Sequence, residues 1–238
     1  MDIHIHTVYS DGRDDIERVL RAAELKGLDA IAITDHDTLQ GYWKALRLES
    51  RLTVIPGYEL KTDAGHILIL GLEELPRLRR PLIYEEVIDW SREQGGLSVL
   101  AHPAVGRLKL NRWRDCPPDV VEALNAAYPL RMMMIRIGLK VAGELGVPAA
   151  AGSDAHRALD VGNAYMELEG ENLDVADILE ALRRGRHRIG GGISPLPVRL
   201  RSGVGYVASL IKWSLSPLRT KPYRRRFTPP PSHIPLGR

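Results

Sequence analysis

A chain of 238 residues, 44% hydrophobic and 26% charged, has the make-up of a soluble globular protein with room for one barrel-sized domain or a domain with an appendage, which excludes bulk disorder and two full domains. The single cysteine, Cys116, excludes an internal disulfide framework; with no basic leader ahead of an apolar core and no run of about 20 apolar residues, a cytoplasmic protein without a spanning helix is expected. The net charge of +3 hides two opposed halves, because residues 1–180 hold all 30 acidic residues against 20 Lys+Arg, a charge of −10, whereas residues 181–238 hold 13 Lys+Arg and no acid. An acidic body suits cation binding, and a wholly basic tail needs an anionic partner or the body's own acidic surface.

In chain order, short apolar runs near 2–7, 30–35, 53–60, 66–71, 97–101, 120–125, 148–152 and 163–168 predict strands. Ala30-Ile31-Ala32-Ile33 is apolar on both faces, as a strand covered on both sides must be. Between the strands, Asp14 is the expected N-cap of a helix with Ile16, Val19, Leu20 and Ala23 on one face, and Gly27 closes it. Further helices are expected over 39–49, 84–94, 130–145 and 174–184. Alternating β and α units favour a closed barrel of parallel strands, which the short link Thr62-Asp63-Ala64-Gly65 interrupts with a hairpin. After about residue 190 the chain becomes rich in Pro, Ser and Arg, and Tyr206, Val207, Leu210, Ile211, Trp213 and Leu218 fit one amphipathic helix.

Histidines and carboxylates recur where strands end, and in a βα barrel those points share one rim. His4 and His6 alternate along the first strand and leave from the same face. Asp11 follows in Ser10-Asp11-Gly12, a sequence that also suits a plain Asx-turn. The second strand runs into Thr34-Asp35-His36-Asp37, and so charged an end to an apolar strand is costly unless the charges are matched. Glu59 ends the third strand and His66 begins the next; a surface salt bridge and a turn histidine are the local alternatives. As a carboxylate, Glu59 can be shared by two cations, which a neutral imidazole cannot. His102 precedes Pro103, and Asp154 and His156 alternate in Gly152-Ser153-Asp154-Ala155-His156. Cys116, before Pro117 and Pro118, reads as a loop thiol.

Taken together, His4-Ile5-His6, Ser10-Asp11-Gly12, Thr34-Asp35-His36, Glu59, His66, Ala101-His102-Pro103 and Gly152-Ser153-Asp154-Ala155-His156 resemble the polymerase and histidinol phosphatase (PHP) family over roughly residues 1–190. The resemblance implies an α/β fold, a distorted (β/α)7 TIM-like barrel related to the amidohydrolases, with residues 191–238 as a basic C-terminal extension. It implies two or three divalent ions, with His4, His6, Glu59 and Asp154 on the first. Glu59 would bridge to a second ion held by His66 and His102, and Asp11, His36 and His156 would hold a third. Asp35 matches the motif's non-ligand carboxylate, orienting a ligand or taking a proton, so Asp35, Glu59 and Asp154 are the expected catalytic carboxylates.

Imidazole and carboxylate donors without thiolate suit Mn²⁺, Zn²⁺ or Fe²⁺. A water shared by two such ions loses a proton near neutral pH and attacks phosphorus. Arg13, Arg131 and Arg157, with Arg107 and Lys109, are candidates for phosphate recognition, and Asn125 for substrate contact. The motifs are similar to those of the family's small nucleotide phosphatases, so hydrolysis of monoesters such as 3′,5′-bisphosphonucleotides is the leading expectation. Phosphodiester cleavage of cyclic phosphates or oligonucleotides is the alternative, and a non-catalytic RNA- or protein-binding scaffold the second. The basic tail adds a possible nucleic-acid or anionic-membrane contact. If it holds an oligonucleotide, deleting residues 199–238 will weaken oligonucleotide turnover and spare small substrates; unchanged oligonucleotide kinetics exclude that role.

Overall fold

The computed structural model describes residues 1–105 and 107–192; the Arg131 side chain, the extension from residue 193 and the helix expected within it lie outside the described residues. The first helix, α1, spans Ile16–Leu25 and buries Ile16, Val19, Leu20 and Ala23 as their spacing predicts. Its N-cap is Asp15, whose carboxylate accepts from the Arg18 N–H. Asp14, expected in that place, instead accepts from the Ala158 N–H at 2.9 Å and ties the helix start to the chain beyond Gly152.

Six strands form one curled sheet in the order β1 (Ala30–Ile33), β2 (Thr53–Thr62), β3 (Gly65–Leu70), β4 (Leu97–Ala101), β5 (Val120–Asn125) and β6 (Ala149–Gly152). β1 and β2 are parallel, as are β4, β5 and β6, but β3 runs antiparallel to both neighbours. The hairpin at Thr62 and Gly65 is the distortion expected of this barrel. Because β3 is reversed, it begins at the rim where the parallel strands end.

Residues 2–7 were expected as a regular strand and pair only through isolated parallel bridges, Asp2 to Ile31 and Ile5 to Ala155. Side chains intercept the backbone donors a ladder would use: Asp2 takes the His4 N–H, Thr34 Oγ1 the Ile5 N–H, and Asp35 the Thr7 N–H. Even so, this segment lies between β1 and the chain after β6, linking the two edges of the sheet.

The interior and the flanking layer separate by strand alternation. Ala30, Ala32, Ile55, Leu68, Leu70, Leu97 and Val99 face inward, where Ile178, Leu179 and Leu182 of α6 (Val175–Arg183) join them. Ile31 and Ile33 turn outward onto α1. Helices α3 (Tyr84–Glu93), α4 (Leu110–Asp115) and α5 (Arg131–Leu145) cover β2 to β5 on the same outer side. Helix α2 is shorter than expected, Gln40–Ala45, because Arg47 and Leu48 form tighter three-residue turn bonds to Lys44 and Ala45.

The segment 163–168, expected as a barrel strand, is β7 (Ala164–Leu168), which pairs antiparallel with β8 (His187–Gly191) in a separate two-stranded sheet. β8 has no sequence signal, since His-Arg-Ile-Gly-Gly lacks alternation. Cys116 is buried, and burial pushes its thiol up to about 11, which suits packing rather than reactivity. No described helix is long and apolar enough to cross a membrane. Ile31 is fully enclosed, so Ile31→Ala should cost about 2–5 kcal/mol in chemical denaturation; a loss under about 1 kcal/mol would show that the α1 layer closes over the gap.

Candidate metal centre

Strand direction determines which residues meet. β1 delivers Thr34, Asp35 and His36 to the rim, where His36 bridges to Glu59 of β2. His66 lies opposite Ala101 in the β3–β4 register and is therefore beside His102. Beyond β6, Asp154 and His156 come alongside His4 and His6, because Ile5 pairs with Ala155.

All nine residues expected as ligands converge: His4, His6, Asp11, His36, Glu59, His66, His102, Asp154 and His156 fall into overlapping sets of potential ligand atoms within 4.8 Å of one another. Glu59, 1% exposed, joins the group of His4 and His6 to that of His66 and His102. Its Oε2 lies 3.1 Å from His4 Nε2, 3.2 Å from His6 Nε2 and 3.6 Å from His36 Nδ1. Its Oε1 lies 2.6 Å from His66 Nδ1 and 3.1 Å from His102 Nε2. Asp154 Oδ1 faces His4, His6 and His156 at 3.5–3.6 Å, and Asp11 reaches His156 at 3.1 Å and His36 at 3.7 Å. The deep wall of His4, His6 and Glu59 is buried, while Asp11 and His156 open to solvent.

Two observations test whether cations fit. His6 Nδ1 is buried with no hydrogen-bond partner among the described residues, and it points toward Asp11 Oδ1 at 3.6 Å. His4 Nε2 and His6 Nε2 face each other at 3.1 Å, which requires either a proton or a cation between the lone pairs. Donors about 2.1 Å from a tetrahedral ion stand roughly 3.4 Å apart, close to the spacings above. The residues fit.

Two of these nine residues adopt backbone that L-residues rarely use: His102 has φ +30° and Asp154 φ +50°. Such strain persists only where surrounding contacts enforce it, and it concentrates at functional sites. Gly12 serves the same end by omission, since a Cβ there would lie 2.4 Å from the His6 carbonyl oxygen.

The other predicted residues divide. Asp35 is buried, and its oxygens accept from the Thr7 N–H (2.7 Å), Thr7 Oγ1 (2.7 Å) and Ser10 Oγ (2.6 Å). It therefore braces the loop that presents Asp11. Asn125, expected at the substrate, is enclosed; its amide donates to Glu122 (3.0 Å) and Asp154 Oδ2 (3.2 Å). Arg13 and Arg157 are exposed on either side of His156, and the Arg13 N–H donates to the His156 carbonyl. Arg107 and Lys109 occupy the loop after β4.

Two buried carboxylates were missed. Glu122, on β5, accepts from His4 Nδ1 at 2.9 Å and from the His102 N–H at 2.9 Å. Asp2 accepts from the His4, Ser153 and Gly162 N–H groups and fixes the N-terminal segment to the chain after β6. For Glu122, an acid within the apolar Val120-Val121-Glu122-Ala123-Leu124 was the available signal.

Nine such donors on one barrel rim have the make-up of a metal centre. A PHP-domain family model matches residues 2–102 and a PHP-associated model residues 136–187. A protein of Methanocaldococcus jannaschii is 31% identical over 196 residues, 75% of this chain and 74% of its own. A phosphoribosyl 1,2-cyclic phosphate 1,2-diphosphodiesterase of Eggerthella lenta is 41% identical over 81 residues, 31% of each chain. In fold, the chain is similar to a two-domain Bacteroides vulgatus protein containing a PHP-like metal-dependent phosphoesterase, with a TM-score of 0.68 at 18% identity over 86% of this chain and 68% of that one. The chain belongs to the PHP family and is a metal-dependent phosphoesterase.

Protonation competes with cations here. Burial disfavours charge on His156, yet Asp11 and Asp154 outweigh it and raise the ring to about 9. Burial likewise opposes charge on His4, which Glu122, Asp154 and Glu59 hold well above the usual range. His36 moves the other way, lowered chiefly by burial. Ligating nitrogens must shed their protons, so cation uptake should release protons below about pH 9 and apparent affinity should weaken as pH falls toward 6.5. Titration calorimetry near neutral pH in buffers of different ionisation enthalpy measures the release; buffer-independent heats would mean the rings are already neutral.

Proposed function

We propose that the protein hydrolyses phosphate monoesters of small nucleotides, such as 3′,5′-bisphosphonucleotides, at the rim cluster. The observation that carries this is the division of Glu59, with Oε2 toward His4, His6 and His36 and Oε1 toward His66 and His102. That division suits one carboxylate shared by two cations. His4, His6, Glu59 and Asp154 would hold the first, His66 and His102 with Glu59 the second, and Asp11, His36 and His156 a third nearer solvent. A terminal phosphoryl group, with three free oxygens, matches three such positions better than a diester does.

When bound, divalent cations supply an acidified water, its pKa lowered from about 16 to roughly 7 in the best-studied zinc case, and a positive field for the phosphoryl oxygens. The chain's own contribution is placement. Glu59, His4 and His6 exclude bulk water from the deep wall, where electrostatic contacts are stronger. Asp154 keeps Oδ1 toward the pocket because Asn125 holds Oδ2. Asp35 fixes the Asp11 loop through Thr7 and Ser10. Arg13 and Arg157, exposed beside His156, are placed to meet the remaining anionic groups of the substrate.

A second reading, hydrolysis of a small cyclic phosphodiester, draws support from the similarity to the Eggerthella lenta diesterase over residues that make up 31% of this chain. Mn²⁺- or Zn²⁺-loaded protein assayed on matched nucleotide monoesters, bisphosphates and cyclic phosphates separates the two. Phosphate release from the monoesters is expected, with Glu59→Gln losing more than the about 10–100-fold typical of changes around a metal site. Turnover of cyclic phosphates alone would replace the first reading by the second. Inactivity on the whole panel with stoichiometric metal bound would reject both.

A further inference from the structure

Glu122 is fully buried, yet none of the five candidate donor groups among the described residues uses it. Its Oε1 faces His4 Nδ1 at 2.9 Å. Its Oε2 accepts from two groups that can only donate, the His102 backbone N–H at 2.9 Å and the Asn125 amide at 3.0 Å. The Asn125 orientation is not in doubt, since its Oδ1 accepts from the Ala127 N–H. A carboxylate that receives these bonds requires the hydrogen on His4 to sit at Nδ1, which leaves Nε2 as the lone pair aimed at the pocket.

The residues reached from this one side chain form a functional unit. His4 is touched directly, His102 through the backbone bond at its strained φ of +30°, and Asp154 through Asn125. These same three residues, His4, His102 and Asp154, form one of the candidate metal-holding groups. Room for the contact is made by Gly152 on the neighbouring strand, where a Cβ would lie 2.3 Å from Glu122 Oε1 and 2.7 Å from His4 Cβ.

We infer that Glu122 is a positioning residue that sets the His4 tautomer, and with it orders His4 and Asp154 for the first cation while its second oxygen anchors the backbone of His102 beside them. This rests on the metal-centre reading of the rim, and it adds a device that acts from behind the donors. Glu122→Gln reverses the device: Oε must stay with the two obligate donors, so the new amide nitrogen turns to His4 and donates to Nδ1. His4 then presents Nε2–H to the cation instead of a lone pair.

The test uses the full chain. In ¹⁵N-labelled, Zn²⁺-loaded wild type, imidazole correlations should show His4 with its hydrogen on Nδ1 and the metal-shifted resonance on Nε2; the opposite assignment overturns the inference without any variant. Glu122→Gln should bind one ion about 10–100-fold more weakly in chelator competition, with the remaining ions retained. Gly152→Ala, which displaces the carboxylate while keeping it in the chain, should weaken the same ion and carries the test if Glu122→Gln does not fold. A variant that binds every ion as tightly as wild type defeats this inference alone. Wild type that binds no ion defeats the metal-centre reading, and this inference with it.

Discussion

At the centre of the molecule one buried carboxylate faces five imidazoles. Glu59 lies 2.6–3.6 Å from nitrogens of His4, His6, His36, His66 and His102, residues drawn from four separate stretches of chain. Removing a carboxylate from water costs several kcal/mol unless charge or hydrogen bonds compensate it. That compensation is available only if the N-terminal segment, β1 and β4 end, and the reversed β3 begins, at the same place. The rest of the fold can be understood as the means of bringing them there.

The reversed strand β3 is the clearest example. In an all-parallel barrel the first residue of a strand lies at the end remote from the active rim. Turning β3 over brings His66 to that rim, next to His102 in register and 2.6 Å from Glu59. The distortion of the barrel thus adds a donor that regular topology would have directed away from it.

Around the donors stands a layer of polar residues outside the candidate metal-holding groups. Asp35 holds the Asp11 loop through Thr7 and Ser10, Asp2 ties His4 to Ser153 and Gly162, and Glu122 with Asn125 spans His4, His102 and Asp154. The same carboxylates take backbone N–H groups that a regular strand would use, which is why residues 2–7 pair through isolated bridges. Local order in the sheet is given up for order in the site, and the positive φ values at His102 and Asp154 are a further sign of that exchange.

The sequence by itself determined the apolar strands, the α1 face and the hairpin at Thr62 to Gly65, because alternation and helical spacing are written in neighbouring residues; it also put nine histidines and carboxylates at strand ends, and their expected grouping as donors came from the family resemblance. It left undetermined whether Glu59 was shared or a surface salt bridge, and it misplaced the N-cap by one residue. Only the tertiary structure decided that β7 pairs with β8 in a separate two-stranded sheet, that Asn125 faces Asp154 and Glu122, and that Glu122 and Asp2 stand behind His4. Those are contacts between residues more than 20 positions apart or between side chains whose direction depends on strand register, and neither is encoded in any local pattern.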